Sequence, residues 1–173
     1  LTLTGNIFTC NDTAASHSFF VVTPYGPGHF INGLSINGNV FRTVNANIDR
    51  VDRVDTTHAT LDFTRFRNVI MESNSFNGIG QITQSPVTIE HVQNTEADTW
   101  VVDTGDYLPF GSRARNLSAL TVEGGVRTVT NVVDYSLPYA DTERGTGGRM
   151  VHLRWPRPLR GRVHATIRCD RST

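Results

Sequence analysis

The chain contains no lysine, so all sixteen of its basic residues are arginine. Charged residues make up only 18% of the 173 positions, and sixteen acids balance the arginines to zero net charge. A chain without excess positive charge is a poor candidate for general nucleic-acid binding. The first explanation of the arginine bias is a GC-rich genome. The second is that arginine suits planar anionic partners, which guanidinium groups bind through paired hydrogen bonds.

Long apolar runs are also missing, and no segment approaches the roughly 20 residues that cross a bilayer. No charged segment followed by an apolar stretch marks a signal peptide. The sequence therefore predicts a soluble product without membrane insertion. The first residue is not methionine, from which we expect the chain to be part of a longer protein.

Cysteine is scarce, with Cys10 and Cys169 at opposite ends of the chain and, by the strand pattern described below, in different domains. No Cys-x-x-C or Cys/His zinc spacing occurs, and the six histidines show no H-x-H or H-E-x-x-H pattern. We expect no disulfide, no metal site and no cofactor.

Thr, Asn, Ser, Val and Gly are abundant instead, which is typical of many short strands and turns and predicts an all-β protein. A repeat of the form apolar-x-apolar-x-small-Asn-x-Phe occupies residues 1–8, 34–41 and 69–76. The paired apolar positions predict a short strand, and the small-Asn step predicts a turn that tolerates left-handed backbone. Stacked copies would form an amide ladder and an aromatic ladder inside a solenoid. The ladder residues are Asn6, Asn39 and Asn74, with Phe8, Phe41 and Phe76. We expect further strands between the copies, at residues 19–22 and 60–63.

The repeat stops after Phe76, and a glycine-rich and proline-containing stretch predicts a domain boundary near residue 86. Residues 87–173 have the spacing of an antiparallel β-domain, with six predicted strands. These strands are 87–92, 99–102, 114–122, 126–135, 149–155 and 162–169. The last two are predicted to form a hairpin through an open loop at residues 156–161.

The three repeats resemble the right-handed parallel β-helix of the pectate-lyase-like superfamily. A β-helix followed by a smaller β-domain resembles bacteriophage tailspikes, tail fibres and the attachment proteins of phage-like gene transfer agents. The resemblance covers residues 1–86 through the repeat and residues 87–173 through architecture. It implies the terminal coils of a β-helix followed by a small antiparallel, β-sandwich-like domain that serves as cap, trimerisation element or glycan-binding domain.

Clustered carboxylates are the catalytic groups of glycan-cleaving β-helices. The densest group is Asp49, Asp52 and Asp55, whose interleaved arginines would hold the carboxylates ionised and unsuited to act as general acids. This pattern predicts a solvated, salt-bridged turn. Asp62 and Glu72 are the alternative catalytic candidates, in the final coils. We assign no catalytic residue, so enzymatic activity is uncertain and not expected of this chain.

Five aromatic residues cluster around predicted turns of the second half, where exposed rings with polar neighbours would suit sugar binding. Of these, Trp100, Tyr107, Tyr135 and Tyr139 are candidate glycan-binding residues, while Phe110 completes the cluster. Core or interface packing is the alternative for each ring.

Residues 149–171 carry seven arginines and a single acid. Strand alternation places Arg154, Arg162 and Arg168 on one face, together with two histidines. This predicted basic face could bind an acidic glycan, pair with acids of a neighbouring subunit, or bind nucleic acid. Nucleic acid is the weakest alternative, because the face lacks interleaved aromatic residues.

These observations favour a receptor-binding, host-attachment module on the surface of a phage-like particle, outside the cell. Its expected partner is a cell-surface or capsular polysaccharide, and its expected state is a homotrimer without nucleic acid. The alternatives are a polysaccharide lyase or glycoside hydrolase of the β-helix type, and a purely structural trimerisation cap.

Overall fold

A computed structural model describes residues 1–171 of the chain. Strands account for 58% of the chain and helical turns for 5%, which confirms the all-β class. The helical turns are three short 3-10 segments, Phe63–Arg65, Pro109–Gly111 and Thr146–Gly148. Within residues 1–171 no helix is long and apolar enough to span a membrane.

The chain divides into two compact units, and the second half of the sequence contributes separate segments to each of them. The first unit comprises Leu1–Pro86, Asp106–Ser112 and the segment that begins at Cys169, and the second comprises Val87–Gly105 and Arg113–Arg168. Both cysteines belong to the first unit, which corrects the expectation that they lie in different domains. Both are free, and Cys169 is buried with its Sγ atom 3.3 Å from the Ser85 hydroxyl oxygen.

The first unit consists of ten short strands that pair in parallel. They are β1 (Thr2–Thr4), β2 (Ile7–Asn11), β3 (Phe20–Val22), β4 (Ile31–Asn37), β5 (Val40–Val44), β6 (Ile48–Arg50), β7 (Asp52–Val54), β8 (Phe66–Glu72), β9 (Ser75–Asn77) and β10 (Ile79–Gln81). The sheets are β1-β4-β8, β2-β5-β9, β3-β7 and β6-β10. The strand predicted at residues 60–63 is absent, because this segment is irregular and leads into a 3-10 turn at Phe63–Arg65.

The register joins the three sequence repeats residue by residue, with Phe8 opposite Phe41 and Phe41 opposite Phe76. The rings stack with centroids 5.1 and 5.7 Å apart. Phe41, in the middle, is fully buried within the apolar core of this unit. The aromatic ladder predicted from the sequence is confirmed.

The amide ladder is confirmed as well. The Oδ1 atom of Asn39 accepts hydrogen bonds from the backbone N–H and the side-chain Nδ2 of Asn6, at 2.9 and 3.1 Å. Asn74 accepts the same two bonds from Asn39, at the same distances. Asn39 and Asn74 thus each satisfy a backbone donor of the preceding repeat.

The left-handed residue of each turn is the small residue that precedes the asparagine. Gly5, Gly38 and Ser73 have φ of 68°, 63° and 57°. Glycine adopts this conformation without the steric penalty that a Cβ atom imposes. The turn therefore depends on the small residue for its backbone shape and on the asparagine for its hydrogen bonds.

The second unit is a single five-stranded antiparallel sheet. Its strands are β11 (Val87–Asp103), β12 (Asn116–Arg127), β13 (Val133–Asp134), β14 (Tyr139–Arg144) and β15 (Met150–Arg168). The order is β11-β15-β12-β13, and β14 pairs with β15 as well. The antiparallel pairing predicted for residues 87–173 is confirmed.

Strand β15 also replaces the hairpin that was predicted at the end of the chain. Its 19 residues form one continuous strand, and residues 155–158 form an irregularity in the pairing with β11. Buried residues occur on both sides of this irregularity, with Leu153, Leu159 and Val163 fully buried. The two predicted strands are therefore parts of one strand. Two prolines on an exposed stretch therefore interrupt the ladder without reversing the chain.

The sheet is strongly bent, which allows a single sheet to enclose its own core. The rings of His91 and Trp100, both on β11, lie 5.8 Å apart, whereas nine residues of straight strand would span about 30 Å. The bend coincides with register breaks between Gln93 and Thr99, because β-bulges increase local twist. Trp100 packs against Trp155 within this core, with ring centroids 4.9 Å apart.

Candidate functional site

A polar recess of the second unit lies where strand β15 passes between two neighbours whose pairing is interrupted. Opposite Arg160, the chain of β11 contains extra residues between Gln93 and Ala97. On the other side, β12 contains extra residues between Glu123 and Arg127. Bulges on both sides of one strand re-aim their side chains and open the surface.

The resulting recess, which we name the arginine cleft, has a volume of about 360 Å³. Its lining residues are Val92, Gln93, Asn94, Glu123, Gly125, Arg127, Asn131, Arg160, Gly161 and Arg162. Both glycines of the lining are constrained: Gly125 has a φ of 75°, and a Cβ atom on Gly161 would lie 3.2 Å from a Val126 methyl group. The glycines therefore permit the close approach of β12 and β15 that forms the floor of the cleft.

Three guanidinium groups and one carboxylate line the cleft, so positive charge is in excess by two. Arg162 is neutralised in part, with its nitrogens 3.3 Å from a Glu90 oxygen and 3.5 Å from a Glu123 oxygen. The pKa of Glu123 lies below its ordinary value. The largest cause is a hydrogen bond from His164, and the attraction of Arg162 adds to it. Glu123 therefore stays ionised and cannot serve as a proton donor near neutral pH.

Arg127 and Arg160 are the unusual pair of the cleft. They are direct cross-strand partners on β12 and β15, and like charges directly opposite each other are destabilising. Arg127 donates from Nη1 to the Asn131 carbonyl oxygen at 3.1 Å. Among residues 1–171 neither guanidinium forms an ion pair. Two arginines at paired positions that line one recess, neither of them paired with a carboxylate, are suited to bind an anionic group through bidentate hydrogen bonds.

The sequence-predicted basic residues are on the expected outer face of β15, but the structure does not bring them together in one site. Arg162 lies in the arginine cleft. Arg154 instead pairs with Asp141 within the same chain, at 3.2 Å. Arg168 is half-buried and its carbonyl oxygen accepts a hydrogen bond from the Arg115 backbone. The predicted basic face is thus largely neutralised within the chain.

The predicted aromatic residues also separate. Trp100 is fully buried, and its indole N–H donates to the carbonyl oxygens of Ala97 and Leu159. It has no exposed ring face, which corrects its assignment as a sugar-binding residue. Tyr107 is 40% exposed and belongs to the first unit. Tyr135 and Tyr139 are 90% and 68% exposed on the second unit, outside the lining of the cleft.

The carboxylate group of the first unit differs from its prediction too. Asp49 is exposed and Asp55 is half-buried, whereas the side chain of Asp52 is fully buried beside Arg50. The predicted solvated turn is therefore wrong at Asp52, whose carboxylate accepts hydrogen bonds from Thr83 and from the backbone of Phe110. Of the other candidates, Asp62 accepts hydrogen bonds from Thr64, which lower its pKa and favour the ionised form. The backbone N–H of Glu72 lies 3.3 Å from Asn37 Oδ1.

Sequence reasoning missed Arg127 and Arg160. The signals that could have indicated them are the Gly124-Gly125 pair inside a strand pattern and the glycine between Arg160 and Arg162, since glycine within a strand often marks a bulge. Across residues 1–171 no group of three or more His, Cys, Asp or Glu side chains is placed to hold a metal ion.

No protein-family model, curated protein or solved structure matches this chain.

Proposed function

We propose that this chain is the receptor-binding, host-attachment module of a phage-like particle and that its second unit binds an acidic cell-surface polysaccharide in the arginine cleft. The observation that carries the proposal is the cross-strand pair Arg127 and Arg160, which lacks a carboxylate partner among residues 1–171. A uronic acid carboxylate or a sulfate group placed between the two guanidinium groups would relieve their repulsion.

A polysaccharide suits the cleft better than a small molecule does. The cleft is a shallow recess on a sheet surface, and the amides of Gln93, Asn94 and Asn131 lie beside the arginines. Side-chain amides donate and accept hydrogen bonds, as sugar hydroxyls require. A polymer can extend beyond the recess at either end, so weak contacts at successive sugars add through multivalency.

The proposal includes the architecture of the first unit as the terminal coils of a right-handed parallel β-helix. Parallel pairing of successive repeats at offsets that the sequence repeat sets, together with the stacked asparagines and phenylalanines, supports this architecture. Such stacked identical side chains are typical of solenoids.

The proposal also includes a homotrimer displayed outside the cell on the particle surface. An exposed group of apolar side chains on the second unit, which we name the apolar strip, supports association. It comprises Val129, Val132, Tyr135, Leu137 and Tyr139. These residues lie within eleven positions of the sequence, and grouped exposed apolar residues mark interaction surfaces more often than isolated ones do.

The test is a calorimetric titration of the chain with a glucuronic-acid-containing tetrasaccharide of the hyaluronan type. Its carboxyl-reduced counterpart, in which each carboxylate is a primary alcohol, is the matched neutral ligand. We expect binding of the acidic ligand that weakens as salt concentration rises, because exposed charges are screened. The neutral ligand should bind at least about 10-fold more weakly, since a hydrogen bond to a charged group contributes more than a neutral one.

Arg160→Ala should weaken binding of the acidic ligand by about 10- to 100-fold, and Arg160→Lys should be intermediate because lysine keeps the charge but loses the fork. Arg157→Ala is the control: Arg157 is an exposed arginine of the same strand that lies outside the cleft and pairs with Asp134. Equal affinity of the wild type and Arg160→Ala, or equal affinity for the acidic and neutral ligands, would reject the cleft as an acidic-glycan site. Tighter binding of a phosphodiester oligomer than of the acidic sugar would indicate that the cleft binds nucleic acid, and it would reject the proposed function.

A further inference from the structure

The first unit presents an exposed phenylalanine beside two arginines. Phe30 immediately precedes strand β4 and is 70% exposed. It lines a recess of about 340 Å³ with Asn32, Thr64, Arg65 and Arg67. We name this group the Phe30 platform.

Two residues of the platform lie on paired parallel strands, and the others lie just before these strands. Asn32 on β4 is the register partner of Arg67 on β8, and Ile31 is the partner of Phe66. Phe30 immediately precedes β4, and Arg65 is the last residue of the 3-10 turn that leads into β8. Neighbouring strands lie about 4.8 Å apart, which places Asn32 and Arg67 side by side. Phe30 and Arg65 line the same recess, so the four side chains form a compact array.

Buried neighbours hold this array in place. Phe66, between the two arginines in sequence, is fully buried and packs edge-on against Phe63 with ring centroids 5.4 Å apart. The Nδ2 atom of Asn68 donates to Asn32 Oδ1 at 2.9 Å, which fixes the amide and leaves Asn32 Nδ2 as a donor. Strand pairing and this hydrogen bond pre-organise the platform, so little ordering entropy is lost when a ligand binds.

Both arginines are anchored but keep donors for a ligand. Arg67 donates from Nη1 to the carbonyl oxygens of Thr64 and Phe66, at 3.0 and 2.7 Å. The Nε atom of Arg65 lies 3.3 Å from the Asp62 carboxylate. These contacts use one nitrogen of each guanidinium group, and each arginine carries five N–H donors. Two arginines and one aspartate leave a single positive charge in excess around the exposed ring.

We propose that the Phe30 platform is a second saccharide subsite that takes one acidic sugar residue of a surface glycan. The apolar face of the sugar ring stacks on Phe30, the carboxylate binds Arg65 and Arg67, and a hydroxyl accepts a hydrogen bond from Asn32. This inference rests on the proposed glycan-binding function but uses residues that the arginine cleft does not include. The exposed ring also adds an aromatic face, which the lining of the arginine cleft lacks.

The test maps backbone amide shifts by NMR while the whole chain is titrated with the same acidic tetrasaccharide and its carboxyl-reduced counterpart. We expect shifts at Asn32 and Arg67 in addition to those at Gly125 and Arg160. Phe30→Ala should remove the shifts at Asn32 and Arg67 or weaken the affinity read from them by about 3- to 10-fold. Phe30→Tyr keeps the ring and should restore them. Tyr25→Ala, which removes another exposed aromatic of the same unit, is the control and should leave them unchanged.

The two sites fail separately in this experiment. Shifts at Gly125 and Arg160 without shifts at Asn32 and Arg67 would reject the Phe30 platform and retain the arginine cleft. Shifts at Asn32 and Arg67 alone would retain the platform and reject the cleft. The absence of shifts at all four amides at millimolar ligand would reject both the platform and the cleft. Because the platform combines stacking with charge, the neutral ligand should still shift Asn32, and its affinity there should depend less on salt than the affinity of the acidic ligand.

Discussion

The carboxylate of Asp52 accepts a hydrogen bond from the hydroxyl group of Thr83, with the two oxygens 2.7 Å apart. Its other oxygen accepts the backbone N–H of Phe110 and lies 3.3 Å from a nitrogen of Arg50. Arg50 in turn donates to the carbonyl oxygen of Leu108 at 3.1 Å. One buried carboxylate thus ties strand β7 to segment Asp106–Ser112 within the first unit.

Replacing Asp52 should therefore destabilise the first unit strongly. Asp52→Ala removes the acceptor of three donors and leaves Arg50 without its carboxylate, so we expect a loss of about 3–5 kcal/mol in the free energy of unfolding. Asp52→Asn keeps one oxygen and should lose less. Urea denaturation followed by circular dichroism measures both. Asp49→Ala, at an exposed position, is the control and should change the free energy of unfolding by about 0.5 kcal/mol or less. A loss as small as this in Asp52→Ala would contradict the role assigned to the Asp52 carboxylate.

The difference between Asp52 and Asn39 shows what the sequence could predict. Asn39 belongs to a motif that recurs every 33 to 35 residues, so its neighbours in the ladder follow from the repeat itself. The partners of Asp52 are Thr83 and Phe110, 31 and 58 residues away and in segments without a repeat. Sequence pattern carries no information on such a pairing, and the burial of Asp52 was therefore missed.

The arginine cleft illustrates the same limit. Alternation along β15 correctly placed Arg162 on the outer face, because the side-chain period of a strand is two. The pairing of Arg127 with Arg160 depends on where bulges interrupt both neighbouring strands. A bulge shifts the register of everything beyond it, so cross-strand partners could not be assigned without the structure.

The aromatic ladder predicts a large effect at its centre. Phe41 is fully buried between Phe8 and Phe76, and Phe41→Ala should lower the free energy of unfolding by about 3–5 kcal/mol. Phe30→Ala removes the same side chain at an exposed position and should lower it by about 0.5 kcal/mol or less. Thermal or urea unfolding of the two variants compares them directly. A loss below about 1 kcal/mol for Phe41→Ala would mean that the ring is not part of a well-packed core.

The left-handed turns predict a backbone effect without a packing effect. A Cβ atom added to Gly38 meets no atom within 4 Å, but its φ is 63°. Gly38→Ala should therefore lower the free energy of unfolding by about 1–2 kcal/mol through backbone conformation alone. Ser73→Gly, at the equivalent turn, should be neutral or stabilising because it relieves the same strain. Gly28→Ala is the control, since Gly28 has open space and no positive φ; equal stability of the Gly38 and Gly28 variants would refute the argument.

Asp141 predicts a dependence on acid pH. A hydrogen bond from Arg144 at 2.7 Å is the largest cause that holds the pKa of Asp141 below 3.8, and Arg154 contributes less. A carboxyl group whose pKa is lowered by folding stabilises the folded state above its unfolded pKa. This stabilisation is lost as the pH falls below 3.8 through the lower folded value. NMR titration should show the pKa of Asp141 rising toward 3.8 in Arg144→Gln, and rising less in Arg154→Gln.

The stability difference between the wild type and Asp141→Asn should accordingly be constant above about pH 5 and shrink toward pH 3, since the asparagine cannot titrate. Denaturation at several pH values measures it. A difference that grows on acidification would have the wrong sign and would contradict the pairing of Asp141 with the two arginines.

The apolar strip predicts the oligomeric state. Leu137 and Val132 are 80% and 61% exposed, and burying such side chains against a neighbour removes apolar area from water. We expect the wild type to sediment as a trimer at micromolar concentration. Leu137→Glu combined with Val132→Glu should dissociate it, because a buried carboxylate without a partner is strongly unfavourable. Thr130→Glu adds a charge at an exposed polar position of the same segment and should leave the trimer intact. A monomeric wild type would reject the trimer, and a trimer that survives the double substitution would place its interface away from the apolar strip.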